Sequence, residues 1–96
     1  MFIMKEWGTV LTGRDLGKKV REELLKKLDK SEDSNVVIVD FKGVKVVSHS
    51  FCDEVFGLIS LSVESILKKI KIVNTSKSIE ITIKYVISER KIEQNK

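Results

Sequence analysis

The stretch VVIVDFKGVKVVSHSFCDEVFG, residues 36–57, changes character twice. It opens on Val36–Val39, a β-branched run with none of the alternation that a half-solvated strand shows. Such a run predicts a strand covered on both faces, the kind found in sheets with helices packed on them. Lys42 and Gly43 mark a turn, and Val44–Val47 either ends that strand or starts another. A polar Ser48-His49-Ser50 turn follows. Beyond it, Phe51, Val55, Leu58, Ile59 and Ser62 fall on one helical stripe, with Cys52, Phe56 and Val63 beside it. Asp53, Glu54, Ser60 and Glu64 lie on or near the opposite side. The helix is predicted to start at Ser50, which with Asp53 three residues on has the form of a capping box.

Upstream, MFIMKEWGTVL reads as an extended segment, two short strands around Gly8. Thr12, with Asp15 three residues later, opens a helix in which Leu16, Val20, Leu24, Leu25 and Leu28 recur at helical spacing to about Asp29. SEDSN, residues 31–35, is a polar turn. Downstream, KKIKIVN is a short strand ending at Asn74. SIEITIKYVISER supports two readings. Ile79, Ile81, Ile83, Tyr85 and Ile87 alternate as in a strand, whereas Ile79, Ile83, Val86 and Ile87 form a helical stripe that Thr75 or Ser76 would cap. Residues 1–90 form one domain and 91–96 a flexible, solvated tail. Strands separated by helices need crossover connections, so the fold class is α/β and part of the sheet is parallel.

Bulk composition narrows the function. Ninety-six residues, 42% hydrophobic and 33% charged, suffice for one core and its solvation, and no proline with only five glycines argues for regular elements and short turns. The net charge of +4 is mild, and its cations alternate with acids through KKVREELLKKLDKSED. No long basic block appears, and Trp7 and Tyr85 do not interleave with basic residues as stacking platforms do, so nucleic acid is not the expected partner. Cys52 is the only cysteine, so no intrachain disulfide and no Cys/His zinc spacing is available, and no metal or cofactor is expected. The opening MFIM is too short for a signal-peptide core, and no run reaches the length of a membrane span; a cytoplasmic protein is expected.

VDFKGVKVVSHSFCDEVFG resembles the core motif of STAS domains, the fold of bacterial anti-sigma factor antagonists. Asp40 takes the position of the acid at the strand end and Gly43 that of the turn glycine. Val44 and Val47 take apolar positions, and Ser50 falls on the phosphorylatable serine. Ser48 stands where the family has an acid, and His49 where it has a first serine. SHSFCDEVFG is similar, more closely still, to uncharacterised prokaryotic STAS-like domains in which S-x-S-F-x-D-E-x-F-G recurs. The resemblance implies a mixed β-sheet with helices packed mainly on one face, and a helical final segment. It also implies a non-enzymatic signalling module that binds another protein. The implied partner is a histidine-kinase-like ATPase, which phosphorylates the serine, or an operon-encoded signalling protein.

The candidate partner-binding residues are therefore Asp40, Ser48, His49, Ser50, Asp53 and Glu54, with Ser50 the candidate phosphorylation site. A serine at a helix start also caps free backbone N–H groups, a role compatible with the switch, since a phosphate there meets the positive end of the helix dipole. Asp53 and Glu54 would repel that phosphate. His49 and Cys52 do not make a nucleophilic pair, because catalysis needs thiol, base and orienting acid in mutual contact. TGRDLGKK lacks the spacing and the Ser or Thr of a phosphate-binding loop. Two alternatives remain: a small-ligand or nucleotide-binding STAS-like domain with a pocket beside the same turn, and a nucleic-acid-associated protein using Lys18, Lys19, Arg21, Lys26 and Lys27.

Overall fold

The computed structural model describes residues 1–30, 36–62 and 64–94; the turn expected at 31–35 and the stripe position Val63 lie outside them. The N-terminal segment forms β1 (Phe2–Ile3), a turn of 3-10 helix (Met4–Trp7) and β2 (Val10–Leu11). Helix α1 spans Arg14–Lys30, so Gly13, not Thr12, immediately precedes it. Its buried face is Gly17, Val20, Leu24 and Leu28, with Leu16 and Leu25 packed on the margin, as the apolar spacing requires.

The β-branched run is β3 (Val37–Asp40), and the later valines form a separate strand, β4 (Val46–Val47). Strand β5 (Ile70–Val73) and helix α4 (Lys77–Gln94) complete the chain. The ambiguous segment is thus a helix. Ser76 Oγ accepts from Ile79 N–H at 3.2 Å, and Ile79, Ile83 and Val86 are buried. Tertiary burial of that stripe overrides a β-branched propensity that is worth little by itself. The helix runs on through Gln94, so the expected tail begins as exposed helix, with Lys91, Ile92 and Glu93 solvated.

Strands β1, β3 and β5 form a sheet in that order, and β2 pairs with β4 in a second, two-stranded sheet. Every described pair is parallel, so the mixed pairing expected of the sheet is not found among the described residues. The cause is connectivity. Strands β1 and β3 are joined through α1, and β3 and β5 through the helical run after Ser48, which makes both links crossovers and not hairpins. The five-residue link from β3 to β4 forms no hairpin because β4 leaves for β2, with Val46 opposite Val10. Two crossovers of one hand stepping in one direction bring their helices together, and α1 packs directly on the central run.

That central run is not a single regular helix. It comprises α2 (His49–Cys52), a wider π-helical turn (Asp53–Gly57) and α3 (Leu58–Ser62), followed by 3-10 winding at Glu64–Lys69. Leu58 N–H reaches the Asp53 carbonyl, the i→i+5 bond that defines the widening. Phe51, Cys52, Val55, Phe56 and Ile59 are all buried. Asp53 and Ser60 are buried too, against the expectation of a solvated opposite side, because α1 covers one flank of the run and α4 the other. Ser60 meets this burial by donating to the Gly57 carbonyl at 2.6 Å. Alpha-helix α1 approaches so closely at Gly17 that a Cβ there would stand 2.7 Å from Glu54 Cβ.

Candidate functional site

The cap of the central run is Ser48, not Ser50. Ser48 Oγ accepts from Phe51 N–H at 3.0 Å and from Gly13 N–H at 3.3 Å, so one hydroxyl closes the helix start and anchors the loop before α1. With both lone pairs used, its proton is left for Ser50 Oγ, 3.2 Å away. Ser50 is half-buried inside the first turn, two residues beyond the cap. Replacing Ser48 with alanine is expected to cost about 1–2 kcal/mol of stability, and Ser50→Ala within about 0.5 kcal/mol. Urea unfolding of the two variants measures the difference, and equal losses would remove the distinction.

His49 turns outward. Its Nε2 lies 3.0 Å from Glu89 Oε1 on α4, and its ring meets Tyr85 edge-on at 5.7 Å between centroids. Glu89 also hydrogen-bonds Tyr85, which raises the phenol's pKa. Cys52 points the other way, into the core, where burial pushes its thiol up to about 12. It is a protonated core residue, and nothing brings His49 to it. Asp40 sits at the end of β3, its Oδ1 accepting from Asn74 Nδ2 and Lys42 N–H, both at 2.9 Å. The Asn74 bond, then the Lys42 bond, hold its carboxyl below the usual range. Its partners are not drawn from the Ser48–Ser50 turn.

Asp53 and Glu54 are occupied by their own chain. Arg90 grips Asp53 from α4 with two donors, Nε to Oδ1 at 2.8 Å and a terminal nitrogen to Oδ2 at 2.5 Å. Arg21 grips Glu54 from α1, reaching the carboxylate at 2.5 Å and the Glu54 carbonyl at 2.9 Å. Arg14 bridges the two acids with one nitrogen, 3.0 Å from Asp53 Oδ2 and 3.2 Å from Glu54 Oε1. The Asp53 side chain is 6% exposed and that of Arg14 52%. The Arg90 hydrogen bonds outweigh desolvation and, with Arg14, lower the Asp53 pKa to about 2. Burial pushes Glu54 up, but the bonds from Arg21 and Arg14 outweigh it and leave its pKa lowered.

The S-x-S-F-x-D-E-x-F-G pattern thereby acquires a physical reading, residue by residue. Ser48 caps, Phe51 and Phe56 fill the core, and Asp53 and Glu54 receive arginines from the flanking helices. Gly57 makes room, since a Cβ on it would be driven into Asp53 Oδ1. The arginine partners are what sequence reading missed. Arg14 and Arg90 are separated from Asp53 by 39 and 37 residues, and the only local signal was two adjacent acids on a helix that proves to be buried.

The turn also borders apolar surface. Val10 and Val46, neighbours across β2 and β4, are 55% and 50% exposed, and Tyr85 shows 54% of its surface beside His49. A cleft of about 400 Å³ lies elsewhere, between β5 and α4, lined by Ile72, Thr75, Glu80, Ile83, Lys84 and Ile87; none of these comes from the turn. Among the described residues no helix is long and apolar enough to cross a membrane, and no group of three or more His, Cys, Asp or Glu is placed to hold a metal ion. The family model for the STAS-like domain of unknown function, DUF4325, matches residues 16–80, a span that holds the whole Ser48–Gly57 motif but neither Arg14 nor Arg90. No curated protein and no solved structure matches the chain.

Proposed function

The chain belongs to the family of STAS-like domains of unknown function, and from that premise we propose that it is a non-enzymatic regulatory module that binds another protein through the surface around Ser48–Ser50. The observation that carries this reading is the exposed Val10–Val46 pair abutting the polar turn. Neighbouring apolar side chains on a small strand pair, with the Ser48–Ser50 turn following directly after β4, offer an apolar contact area next to a polar segment, which is how protein interfaces are built. His49 is half exposed and belongs to that segment. Asp53 and Glu54 contribute by shaping the turn, because their carboxylates are held by Arg90, Arg21 and Arg14. The partner, by similarity to STAS proteins, is a histidine-kinase-like ATPase that phosphorylates Ser50, or another signalling protein of the same operon.

The test compares three baits in native lysate: wild type, Ser50→Asp, and the double variant Val10→Lys with Val46→Lys. Both valines are solvated, so the double variant keeps its fold. A protein retained by wild type, lost by the lysine variant and weakened by Ser50→Asp is the expected result. The same captured set on all three baits would sink the reading.

A further inference from the structure

Three guanidiniums converge on two carboxylates, and two of the three suffice. Arg90 satisfies Asp53 through a two-point grip, and Arg21 satisfies Glu54 while also holding its carbonyl. Arg14 is the surplus cation. It is the most exposed of the three and touches both acids through a single nitrogen, so its remaining donors are not spent on either carboxylate. The five charges sum to one positive, and the excess is Arg14's.

The position of Arg14 follows from its neighbours. Its chain starts next to Gly13, whose N–H touches Ser48 Oγ, the hydroxyl in contact with Ser50 Oγ. Its guanidinium ends on Asp53, one helical turn after Ser50 and on the same side of the run. The Arg14 side chain therefore spans the flank that carries Ser50. His49 points instead to Glu89, and the two nearby acids are already paired by α1 and α4, so the repulsion a phosphate would feel from bare carboxylates is largely neutralised.

We propose that Arg14 is the residue that reads a phosphoryl group on Ser50. The dianion draws the exposed guanidinium away from Asp53 and Glu54, which keep Arg90 and Arg21, and the new pair fastens the start of α1 to the modified turn. A two-pronged guanidinium suits the phosphoryl oxygens, and a lysine ammonium would supply only charge. This inference rests on the reading of Ser50 as a switch, but it is a statement about an arginine and a phosphate that holds whichever enzyme transfers the group.

The experiment installs phosphoserine at position 50 during synthesis of the full chain and follows its titration by phosphorus NMR, in wild type, Arg14→Gln and Arg14→Lys. The second ionisation of phosphoserine has a midpoint near pH 6. An adjacent guanidinium favours the dianion, so in wild type the midpoint is expected to fall by about half a pH unit or more. Arg14→Gln should return it towards 6, and Arg14→Lys should keep part of the shift. A midpoint unmoved by Arg14→Gln, whether low or normal, overturns the assignment. Because the phosphate is installed chemically, that failure is separate from failure of the docking surface, which the Val10 and Val46 variants report.

Discussion

Gly57→Ala is expected to destabilise the protein by about 3 kcal/mol, although a glycine-to-alanine change inside a helix ordinarily stabilises by up to about 1 kcal/mol. The reversal has a specific cause. Gly57 is buried in the π-helical turn, and Asp53 folds its carboxylate back over it to meet Arg90. A methyl group there would collide with Asp53 Oδ1 and press on Arg90 Cγ, 3.3 Å away. Either the central run moves off α4 or the Asp53–Arg90 grip opens, and both routes lose packing as well as charge pairing. A double-mutant cycle identifies the collision partner. In an Asp53→Ala background the carboxylate is gone, so the added methyl should cost at least about 1–2 kcal/mol less than in wild type. Urea midpoints of the four proteins give the coupling, and additive losses would show that Asp53 is not what the methyl meets.

The same residues show what could be read before the structure and what could not. The unbroken β-branched run of β3 announced a covered strand, and the Leu16–Leu28 spacing announced α1, because both are local patterns of burial. The polar Ser48–Ser50 turn was legible from the residues themselves, and the similarity of residues 39–57 to STAS cores made the last segment a helix, where alternation alone left a strand open. The cap moved by two residues, to Ser48, because an anchor on Gly13 fixes which serine turns inward, and that anchor lies 35 positions away. Asp53 and Ser60 read as belonging to the solvated side for a related reason. A two-faced helical wheel assumes one partner surface, and this run has α1 and α4 on two flanks. Long-range pairs such as Asp53–Arg90 leave no periodic trace, so an acid near a helix start reads as exposed until its arginine is seen.

Acid should expose the same pair. The Asp53 carboxyl titrates near 2 when folded, against a usual value of 3.8. Its folded pKa is depressed, so the stability it contributes is present above pH 4 and is lost as pH falls towards 2. A shift of that size corresponds to about 2 kcal/mol, and Glu54, also lowered, adds to the loss in the same direction. Asp53→Asn removes the charge at all pH values, leaving Arg90 one acceptor oxygen and an amide donor facing another donor, at a cost near neutrality of about 2–3 kcal/mol. The gap between wild type and Asp53→Asn should therefore be widest near pH 6 and narrow steadily from pH 4 to pH 2. Asp40→Asn is the comparison: Asp40, half-buried at the end of β3, is also held below the usual range by Asn74 and Lys42, so its gap to wild type should close in the same direction but by less. Urea unfolding at half-unit pH steps measures all three curves. If Asp53→Asn ran parallel to wild type across that range, the Arg90 grip would be a matter of shape and not of charge, and the surplus assigned to Arg14 would have to be counted again.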